Sequence, residues 1–337
     1  MIFSTLCYIE QNEKYLMLHR VVKKNDVNKD KWIGVGGKFE EGESPEDCLK
    51  REVKEETGLT LTSFRFRGIL SFFSVGYEPE YICLYTADGF KGDLIKCEEG
   101  TLEWVKKTEI TNLNLWEGDR IFHRLLLEEA PFFSLKLRYE HNVLIEAVLN
   151  GTSMELVDLL DENNEVTGIR REREVIHREG GLHRTSHVWL VRRNEKGEPE
   201  ILLQKRAKGK DAFPGCYDIS SAGHIPAGVG YRESAVRELE EELGVKVAPE
   251  ELLYIGQNES KVDTVFYGKP FRNHETSAVY VLDRTGVSDR FILQESEVEE
   301  VKWMNFETCR ECLEDPEFPN CIMGNETDLL QRYFEEK

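Results

Sequence analysis

The sequence lacks the features that define several protein classes. No apolar segment of its 337 residues reaches the roughly 20 residues that a membrane-spanning helix needs. The N-terminal stretch is interrupted by Glu10, Glu13 and Lys14, which argues against a signal peptide. The eight cysteines are scattered, and this disfavours a disulfide framework in a chain of this length. These absences predict a cytoplasmic protein without a membrane partner.

Positive charge is also scarce. The chain has 64 Asp and Glu residues against 44 Lys and Arg residues, so its formal net charge is -20. Because polyanions repel one another, this balance argues against a nucleic-acid polymer as partner. A substrate that carries phosphate groups would need metal cations to be held by such a chain. We therefore expect a small-molecule substrate.

Two segments of the chain are similar to each other. Residues 37–59 read GKFEEGESPEDCLKREVKEETGL, and residues 223–245 read GHIPAGVGYRESAVRELEEELGV. Both carry Arg-Glu-apolar-x-Glu-Glu-x-Gly-apolar, which begins 14 residues after a glycine. Gly58 and Gly244 follow the last turn and are typical helix-terminating residues. Each segment therefore predicts a loop followed by a short helix.

The glutamates of each segment lie at positions i, i+3 and i+4, which places them on one helix face. They are Glu52, Glu55 and Glu56 in the first segment and Glu238, Glu241 and Glu242 in the second. Like charges on one face repel, and a bound Mg²⁺ or Mn²⁺ would reverse that effect, since such cations prefer carboxylate and phosphate oxygens. Arg51 and Arg237 each precede a glutamate by four residues and could orient it. A solvated acidic face remains the alternative for either segment taken alone.

The first segment matches Gly-x5-Glu-x7-Arg-Glu-apolar-x-Glu-Glu-x-Gly-apolar at every position, from Gly37 through Glu43 to Leu59. This pattern resembles the Nudix box. The resemblance implies a MutT-like α/β (α+β) fold, in which a mixed β-sheet lies between helices, and it implies Mg²⁺ or Mn²⁺ held by the glutamates with Gly37. The second segment matches except that Val229 replaces the first glutamate.

The boundary between the two copies is predicted from the segments that separate them. Residues 132–140 and 143–149 are strand-like and form a closing hairpin, after which residues 150–153 break the pattern. Residues 116–129 predict a helix with an apolar face. We therefore predict two Nudix domains in tandem, residues 1–152 and 153–337.

The first domain resembles the MutT-like subgroup that hydrolyses oxidised purine nucleoside triphosphates. The resemblance rests on W-x-G-x-G-G-K at residues 32–38, which includes Lys38, and on the sequence LWEGD at residues 115–119. It implies that Lys38 binds substrate, that Trp116 stacks on the purine and that Asp119 reads its edge. Trp116 could instead be a core aromatic residue at the start of a helix.

The first domain departs from that subgroup at two positions, and it carries one further acidic candidate. Gly118 stands where a first recognition aspartate belongs, and Ile33 stands where an asparagine contacts the base, so the choice of base stays open. Glu99 lies where related hydrolases supply an additional carboxylate, which binds a metal or acts as the base toward water. An ordinary loop carboxylate is the alternative for Glu99.

The second domain resembles the isopentenyl-diphosphate isomerase-like subgroup. The resemblance implies three metal-binding histidines at His177, His183 and His224, and a catalytic glutamate at Glu275. Ala222 stands where the isomerases need a cysteine, so the intact glutamate set favours hydrolysis over isomerisation. Structural histidines and a surface glutamate remain the alternatives. A basic cluster precedes the box and could contact phosphates: Lys205, Arg206, Lys208 and Lys210.

These patterns predict a metal-dependent pyrophosphohydrolase. The first domain is expected to convert a purine nucleoside triphosphate, oxidised or not, to the monophosphate and pyrophosphate, with catalytic roles for Arg51, Glu52 and Glu99. The second domain is expected to hydrolyse another diphosphate, with catalytic roles for Arg237 and Glu275. A non-catalytic ligand-binding or structural second domain is the alternative, and an isoprenoid diphosphate isomerase is a further one that Ala222 disfavours.

Overall fold

The computed structural model describes residues 1–22, 27–288 and 290–337. The chain divides into two compact units, Met1–Met154 and Glu155–Lys337, and this division lies two residues after the boundary predicted from the sequence. Within the described ranges, no helix is long and apolar enough to cross a membrane. All eight cysteines are free thiols.

The first unit is built around a nine-stranded mixed sheet with the order β3-β2-β1-β5-β4-β7-β8-β9, in which β6 pairs with β2. The pairs β1/β5 and β4/β7 are parallel and the other neighbours are antiparallel. The strands are β1 Ile2–Gln11, β2 Lys14–His19, β3 Trp32–Ile33, β4 Thr60–Ser74, β5 Glu80–Lys91, β6 Thr101–Lys106, β7 Phe133–Glu140, β8 Val143–Leu149 and β9 Thr152–Ser153; the helices are α1 Pro45–Thr57 and α2 Glu117–Leu127.

Helix α1 begins and ends where its sequence directs. Ser44 caps the N-terminus through a reciprocal capping box with Asp47, and Pro45 occupies the first helical position. Gly58 ends the helix in the left-handed conformation at φ 78°, and its N–H donates to the Lys54 carbonyl. Leu49 and Val53 are fully buried against the sheet. This packing fixes which face of α1 remains available for a site.

The second unit repeats the arrangement with a nine-stranded sheet. Its path is β11-β10-β12-β13-β14, and β15, β16, β17 and β18 join through β12, β17 and β13. Strands β12 and β17 are parallel. The strands are β10 Leu156–Leu160, β11 Val166–Glu172, β12 Leu182–Arg193, β13 Pro199–Arg206, β14 Tyr217–Asp218, β15 Ser221–His224, β16 Leu253–Phe266, β17 Lys269–Asp283 and β18 Val298–Asn305; the helices are α3 Arg173–Glu179, α4 Tyr231–Leu243, α5 Phe306–Glu314 and α6 Glu326–Glu335.

Helix α4 is the counterpart of α1. It starts after Gly230 without a side-chain cap and ends at Gly244, which adopts the left-handed conformation at φ 69°. Ala235, Leu239 and Leu243 are fully buried in a core cluster with residues of β12. The predicted loop-helix-loop therefore forms in both units, and the mixed α/β fold expected from the sequence is confirmed.

Candidate active sites

In the first unit, α1 presents two of its three predicted metal-binding glutamates inward. The Glu52 side chain is 15 % exposed and Glu56 is 8 % exposed, whereas the Glu55 side chain is 61 % exposed. The Glu55 carboxylate lies 3.3 Å from Arg51 Nη1. The helix face that the three glutamates share therefore carries two carboxylates that are turned inward, Glu52 and Glu56, and a third, Glu55, that is exposed to solvent.

Arg51 connects the loop to the helix. Its Nε and Nη2 donate to the two carboxylate oxygens of Glu43 at 2.6 and 2.9 Å, and its Nη1 donates to Glu52 at 2.7 Å. A longer hydrogen bond of 3.3 Å reaches Glu55, and Nη2 also donates to the Lys38 carbonyl. The hydrogen bonds from Arg51 lower the pKa of Glu43 to about 2. Arg51 thus orients Glu52 and ties down the loop before α1.

Burial controls the protonation of the inward carboxylates. Burial raises the pKa of Glu56 to about 8, against a 3.0 Å hydrogen bond from the Gly36 N–H and with added repulsion from Glu99 and Glu52. Burial also raises the pKa of Glu52. Glu99 forms an ion pair with Arg20. Its charge raises the pKa values of both Glu52 and Glu56, so it lies near both carboxyl groups. A cluster of desolvated carboxylates fits a divalent cation, because a bound ion would stabilise their charged forms.

Gly37 is placed by its contact with Glu52. A Cβ at this position would lie 2.4 Å from the Glu52 carboxylate, so only glycine lets that side chain pack on the loop. The Gly37 carbonyl accepts the Thr5 N–H at 2.9 Å. The Cys48 thiol also donates to this carbonyl, at 3.5 Å, and the metal role of Gly37 stays a prediction.

Trp116 lies just before α2 and is half-buried. This degree of burial is compatible both with a platform that stacks on the base and with a residue that packs on the core. Its indole N–H donates to Asn28 at 2.8 Å, and the Lys31 ammonium lies 4.8 Å from the ring centre. Asp119 follows one turn later, and burial raises its pKa to about 7 against the opposing charge of Lys31. The two predicted base-reading residues therefore lie on one turn.

The departure at Gly118 has a structural cause. Its N–H donates to the Tyr139 hydroxyl at 2.7 Å, and a Cβ would lie 2.6 Å from both that hydroxyl and a methyl group of Leu137. An aspartate at this position would require the side chains of Leu137 and Tyr139 to move. The sequence offered no signal for Tyr139 or Lys31, because both reach this turn from distant segments.

In the second unit, the box helix lines a cleft of about 300 Å³. Glu242 is buried and the Glu238 side chain is 17 % exposed, while Glu241 is exposed like its counterpart Glu55. Burial raises the pKa of Glu242 to about 8, and within the described residues its Oε2 has no hydrogen-bond partner. Four cations line the same cleft, three from other elements and one from the box helix: Arg173, Arg206, Lys210 and Arg237. Carboxylates and cations that line one cleft fit a metal-diphosphate complex.

The three predicted histidines converge beside this cleft. Ligand atoms of His177, His183 and His224 all lie within 4.8 Å of one another. In the parts of the chain the structure covers, no other three residues among His, Cys, Asp and Glu bring their ligand atoms this close together. The His177 and His224 Nε2 atoms are 3.0 Å apart. Burial lowers the pKa of His177 to about 3 and also lowers the pKa values of the other two, so the imidazoles are neutral.

The tautomer of His183 is set by the backbone. Its Nδ1 lies 2.9 Å from the Gly181 carbonyl, which only a protonated nitrogen can approach as donor, so Nε2 carries the lone pair. Among the described residues this buried Nε2 has no hydrogen-bond partner. A neutral histidine with a free Nε2 lone pair and a backbone partner at Nδ1 is typical of transition-metal sites. The set therefore fits a metal ion.

Glu275 lies on β17 directly opposite His183 in the parallel pairing. Its carboxylate accepts hydrogen bonds from Ser260 at 3.1 Å and Asn273 at 2.8 Å. It lines an inner cavity of about 120 Å³ together with His177, His224 and Ala222. Position 222 is alanine, and the free thiol of Cys321 also lines this cavity. Glu275 thus faces the histidine set across a small cavity.

The sequence did not reveal the buried carboxylate that contacts His187, a residue that lines this cavity. Glu326, at the start of α6, is buried and accepts hydrogen bonds of 2.7 Å from His187 Nδ1 and from the Trp189 indole N–H. Burial alone lowers the pKa of His187, but the charge and hydrogen bond of Glu326 raise it to about 9. His187 and Glu326 are 139 positions apart, so local sequence patterns gave no sign of this pair.

Comparisons with known proteins identify the family of the chain. The NUDIX domain family matches residues 3–126 and 183–319. "Nudix hydrolase 3" of Arabidopsis thaliana is 40% identical over 48% of this chain and 21% of its own length, and "Oxidized purine nucleoside triphosphate hydrolase" of Mus musculus is 34% identical over 38% of this chain and 81% of its own. The crystal structure of a MutT protein from Bacillus halodurans is 28% identical, with a TM-score of 0.40, over 44% of this chain and 98% of that one.

The extent of these matches differs. The chain spans about a fifth of the length of the Arabidopsis relative and about two thirds of an uncharacterised Nudix hydrolase of Clostridium acetobutylicum. The family match, by contrast, includes both box helices and covers more than half of the chain in two separate ranges. The chain belongs to the NUDIX family and carries its domain twice.

Proposed function

We propose that the protein is a Nudix pyrophosphohydrolase that cleaves nucleoside diphosphate-linked small molecules with the help of Mg²⁺ or Mn²⁺. One observation carries the proposal: each unit holds an inward pair of desolvated glutamates, with Glu56 and Glu242 at pKa values of about 8. Strongly perturbed carboxyl groups at a cleft mark functional sites. A cytoplasmic location and the absence of a polymer substrate are part of the same proposal.

The residues that would hold the cation are the box glutamates. In the first unit these are Glu52, Glu55 and Glu56 with the Gly37 carbonyl, and in the second they are Glu238, Glu241 and Glu242. A bound divalent ion supplies charge neutralisation for the phosphates and lowers the pKa of water. The chain itself supplies orientation, through Arg51 in the first unit, and exclusion of water around the buried glutamates.

The proton from the attacking water is proposed to pass to a carboxylate near each box helix. Glu99 takes this role in the first unit, where Arg20 holds it beside the α1 glutamates. Glu275 takes it in the second unit, held by Ser260 and Asn273. Water then attacks one phosphorus in line, the P–O bond to the leaving phosphate breaks, and two phosphate-bearing products separate.

For the first unit we propose a purine nucleoside triphosphate, with an oxidised purine as the leading candidate, which yields the monophosphate and pyrophosphate. The similarity to the oxidized purine nucleoside triphosphate hydrolase of Mus musculus supports this class. Trp116 would stack on the base, Lys38 would bind substrate, and Asp119, half protonated near neutral pH, would read the base edge. The Tyr139 hydroxyl occupies the place of a second carboxylate, so one acidic group reads the base here.

For the second unit we propose hydrolysis of another diphosphate. His177, His183 and His224 would hold a second metal ion, for which neutral imidazoles are suited. Isomerisation of an isoprenoid diphosphate is disfavoured, because Ala222 supplies no acid at the position of the thiol. A non-catalytic binding module is the competing candidate, since Val229 breaks the box.

A metal-dependent screen of the full-length chain tests the proposal. Nucleoside triphosphates, dinucleotides, sugar nucleotides and isoprenoid diphosphates would be supplied with Mg²⁺, and released phosphate and pyrophosphate would be scored. Glu56→Gln should abolish turnover of the triphosphate substrates, and Glu242→Gln should abolish turnover of a separate set. Turnover that survives in the double variant would refute the proposal. Saturable binding without turnover in the second unit would favour the binding module.

A further inference from the structure

The two box arginines make different contacts, and the difference originates at Val229. In the first unit Glu43 accepts two hydrogen bonds from Arg51, which fixes the loop onto α1. Val229 occupies the equivalent position in the second unit and cannot accept them. Arg237 instead donates to Glu238 at 2.5 Å and to the Ser234 hydroxyl at 3.4 Å. Its side chain is 42 % exposed, against 20 % for Arg51.

The loop before α4 is fixed by another carboxylate. Asp158 on β10 is buried, and its Oδ2 accepts the Gly228 N–H at 2.8 Å. Arg170 and Arg184 bind the same carboxylate at 3.0 and 2.8 Å, so its charge is compensated. A second backbone hydrogen bond, from Ala227 to the Leu156 carbonyl, joins the loop to β10. The loop is therefore anchored without the box arginine.

The surroundings of Arg237 point to a ligand. Three other cations of the cleft form ion pairs with carboxylates outside the box helix: Arg173 with Glu155, Arg206 with Asp218 and Lys210 with Glu297. The partner of Arg237 is Glu238, which is itself a proposed metal ligand. A cation that engages Glu238 would weaken this pair and leave the guanidinium facing the cleft. Guanidinium groups bind phosphate oxygens in a bidentate manner.

We propose that Asp158 has taken over the loop-anchoring role in the second unit, and that Arg237 binds a phosphate of the substrate's diphosphate directly. The inference rests on the proposed function of this unit, because it assumes a metal-diphosphate complex in the cleft. The inference also gives Val229 a function: because no glutamate stands at this position, Arg237 is available to bind the substrate. Arg237 thereby becomes a binding residue, and Arg51 remains a positioning residue.

The test measures how magnesium methylenediphosphonate, a diphosphate that cannot be hydrolysed, binds to the full-length chain by titration calorimetry. A Glu52→Gln/Glu56→Gln parent silences the first site. In this parent, Arg237→Gln should weaken the affinity about tenfold to a hundredfold, the range for loss of a charge-assisted hydrogen bond. Its melting temperature should move by less than about 2 °C, because Arg237 is exposed.

A second variant tests the role of Val229. In the first unit, the carboxylate at the equivalent position binds Arg51. Val229→Glu would supply such a carboxylate to the second unit, so Arg237 should bind it instead of the substrate. Diphosphonate binding should then weaken by a similar factor without a lower melting temperature. Val229→Gln has the same size without the charge, and it should leave the affinity within about twofold of the parent.

The outcomes separate this inference from the proposed function. A parent that binds no diphosphonate contradicts the proposed function of the second unit, and the inference with it. A parent that binds normally, with Arg237→Gln equally tight, overturns the inference alone. A melting temperature lowered by Arg237→Gln as much as by Arg51→Gln in the unmodified chain would likewise overturn it, because Arg237 would then serve as the anchor.

Discussion

Replacement of Glu56 by glutamine removes a charge that the fold of the first unit opposes. The pKa of Glu56 rises from its ordinary 4.5 to about 8 because the group is buried. The metal-free folded unit therefore keeps the proton up to about pH 8, whereas the unfolded chain loses it near pH 4.5. The stability associated with this group is fully present below pH 4.5 and is lost as the pH rises toward 8.

The size of the effect follows from the same values. At pH 7 the linkage amounts to roughly 3 kcal/mol, since each pH step between the two pKa values contributes about 1.4 kcal/mol. Glu56→Gln cannot titrate, and its amide oxygen can still accept the Gly36 N–H. In the absence of metal, the variant should therefore be more stable than the natural chain by up to roughly 3 kcal/mol at pH 7 and equally stable near pH 4.5.

The assay is urea unfolding in the presence of EDTA between pH 4.5 and 8. Unfolding is monitored by hydrogen exchange in peptides from residues 1–154, so that the first unit is observed separately. Glu55→Gln is the matched control, because the Glu55 side chain is 61 % exposed and its removal should change little. Magnesium should stabilise the natural chain but not Glu56→Gln, and the Glu55→Gln control applies to the metal-free series alone. A Glu56→Gln variant that is less stable than the natural chain at pH 7 without metal would refute this account of the buried carboxylate.

Three further predictions concern other parts of the sites. Burial raises the pKa of Asp119 to about 7, so the KM for a purine triphosphate should change with a midpoint near pH 7, and Asp119→Asn should flatten that profile in steady-state kinetics. Trp116→Ala should weaken nucleotide binding by about tenfold while inorganic pyrophosphate binding stays unchanged, as fluorescence titration would show. His183→Gln should lower zinc affinity at least tenfold by competition with a chelator, whereas His274→Gln, outside the histidine set, should leave it unchanged; equal affinities in the two variants would count against the site.

The sequence predicted the elements that local patterns determine. The spacing of the glutamates and the stops at Gly58 and Gly244 predicted α1 and α4, and the segments 132–140 and 143–149 became β7 and β8. The helix predicted at 116–129 spans Glu117–Leu127. These features depend on neighbours within a few positions, and for that reason a single chain was sufficient to read them.

The rest of each site depends on contacts between distant residues. Tyr139 fills the space beside Gly118, and Glu326 holds His187, yet neither partner is marked by a local motif. Helical spacing placed Glu55 with its neighbours, whereas in the structure its side chain is 61 % exposed and pairs with Arg51, because periodicity alone does not show how deeply each position is buried. The different roles proposed for Arg51 and Arg237 also could not be inferred without the position of Asp158, which binds the loop from far outside the box.

Anomalous diffraction at the manganese edge, from crystals grown with Mn²⁺ and methylenediphosphonate, tests the central claim most directly. The account predicts a peak beside Glu52 and Glu56 in the first unit and another beside Glu238 and Glu242 in the second, each in contact with diphosphonate oxygens. Diphosphonate bound elsewhere, or box glutamates that point away from every manganese peak, would contradict it.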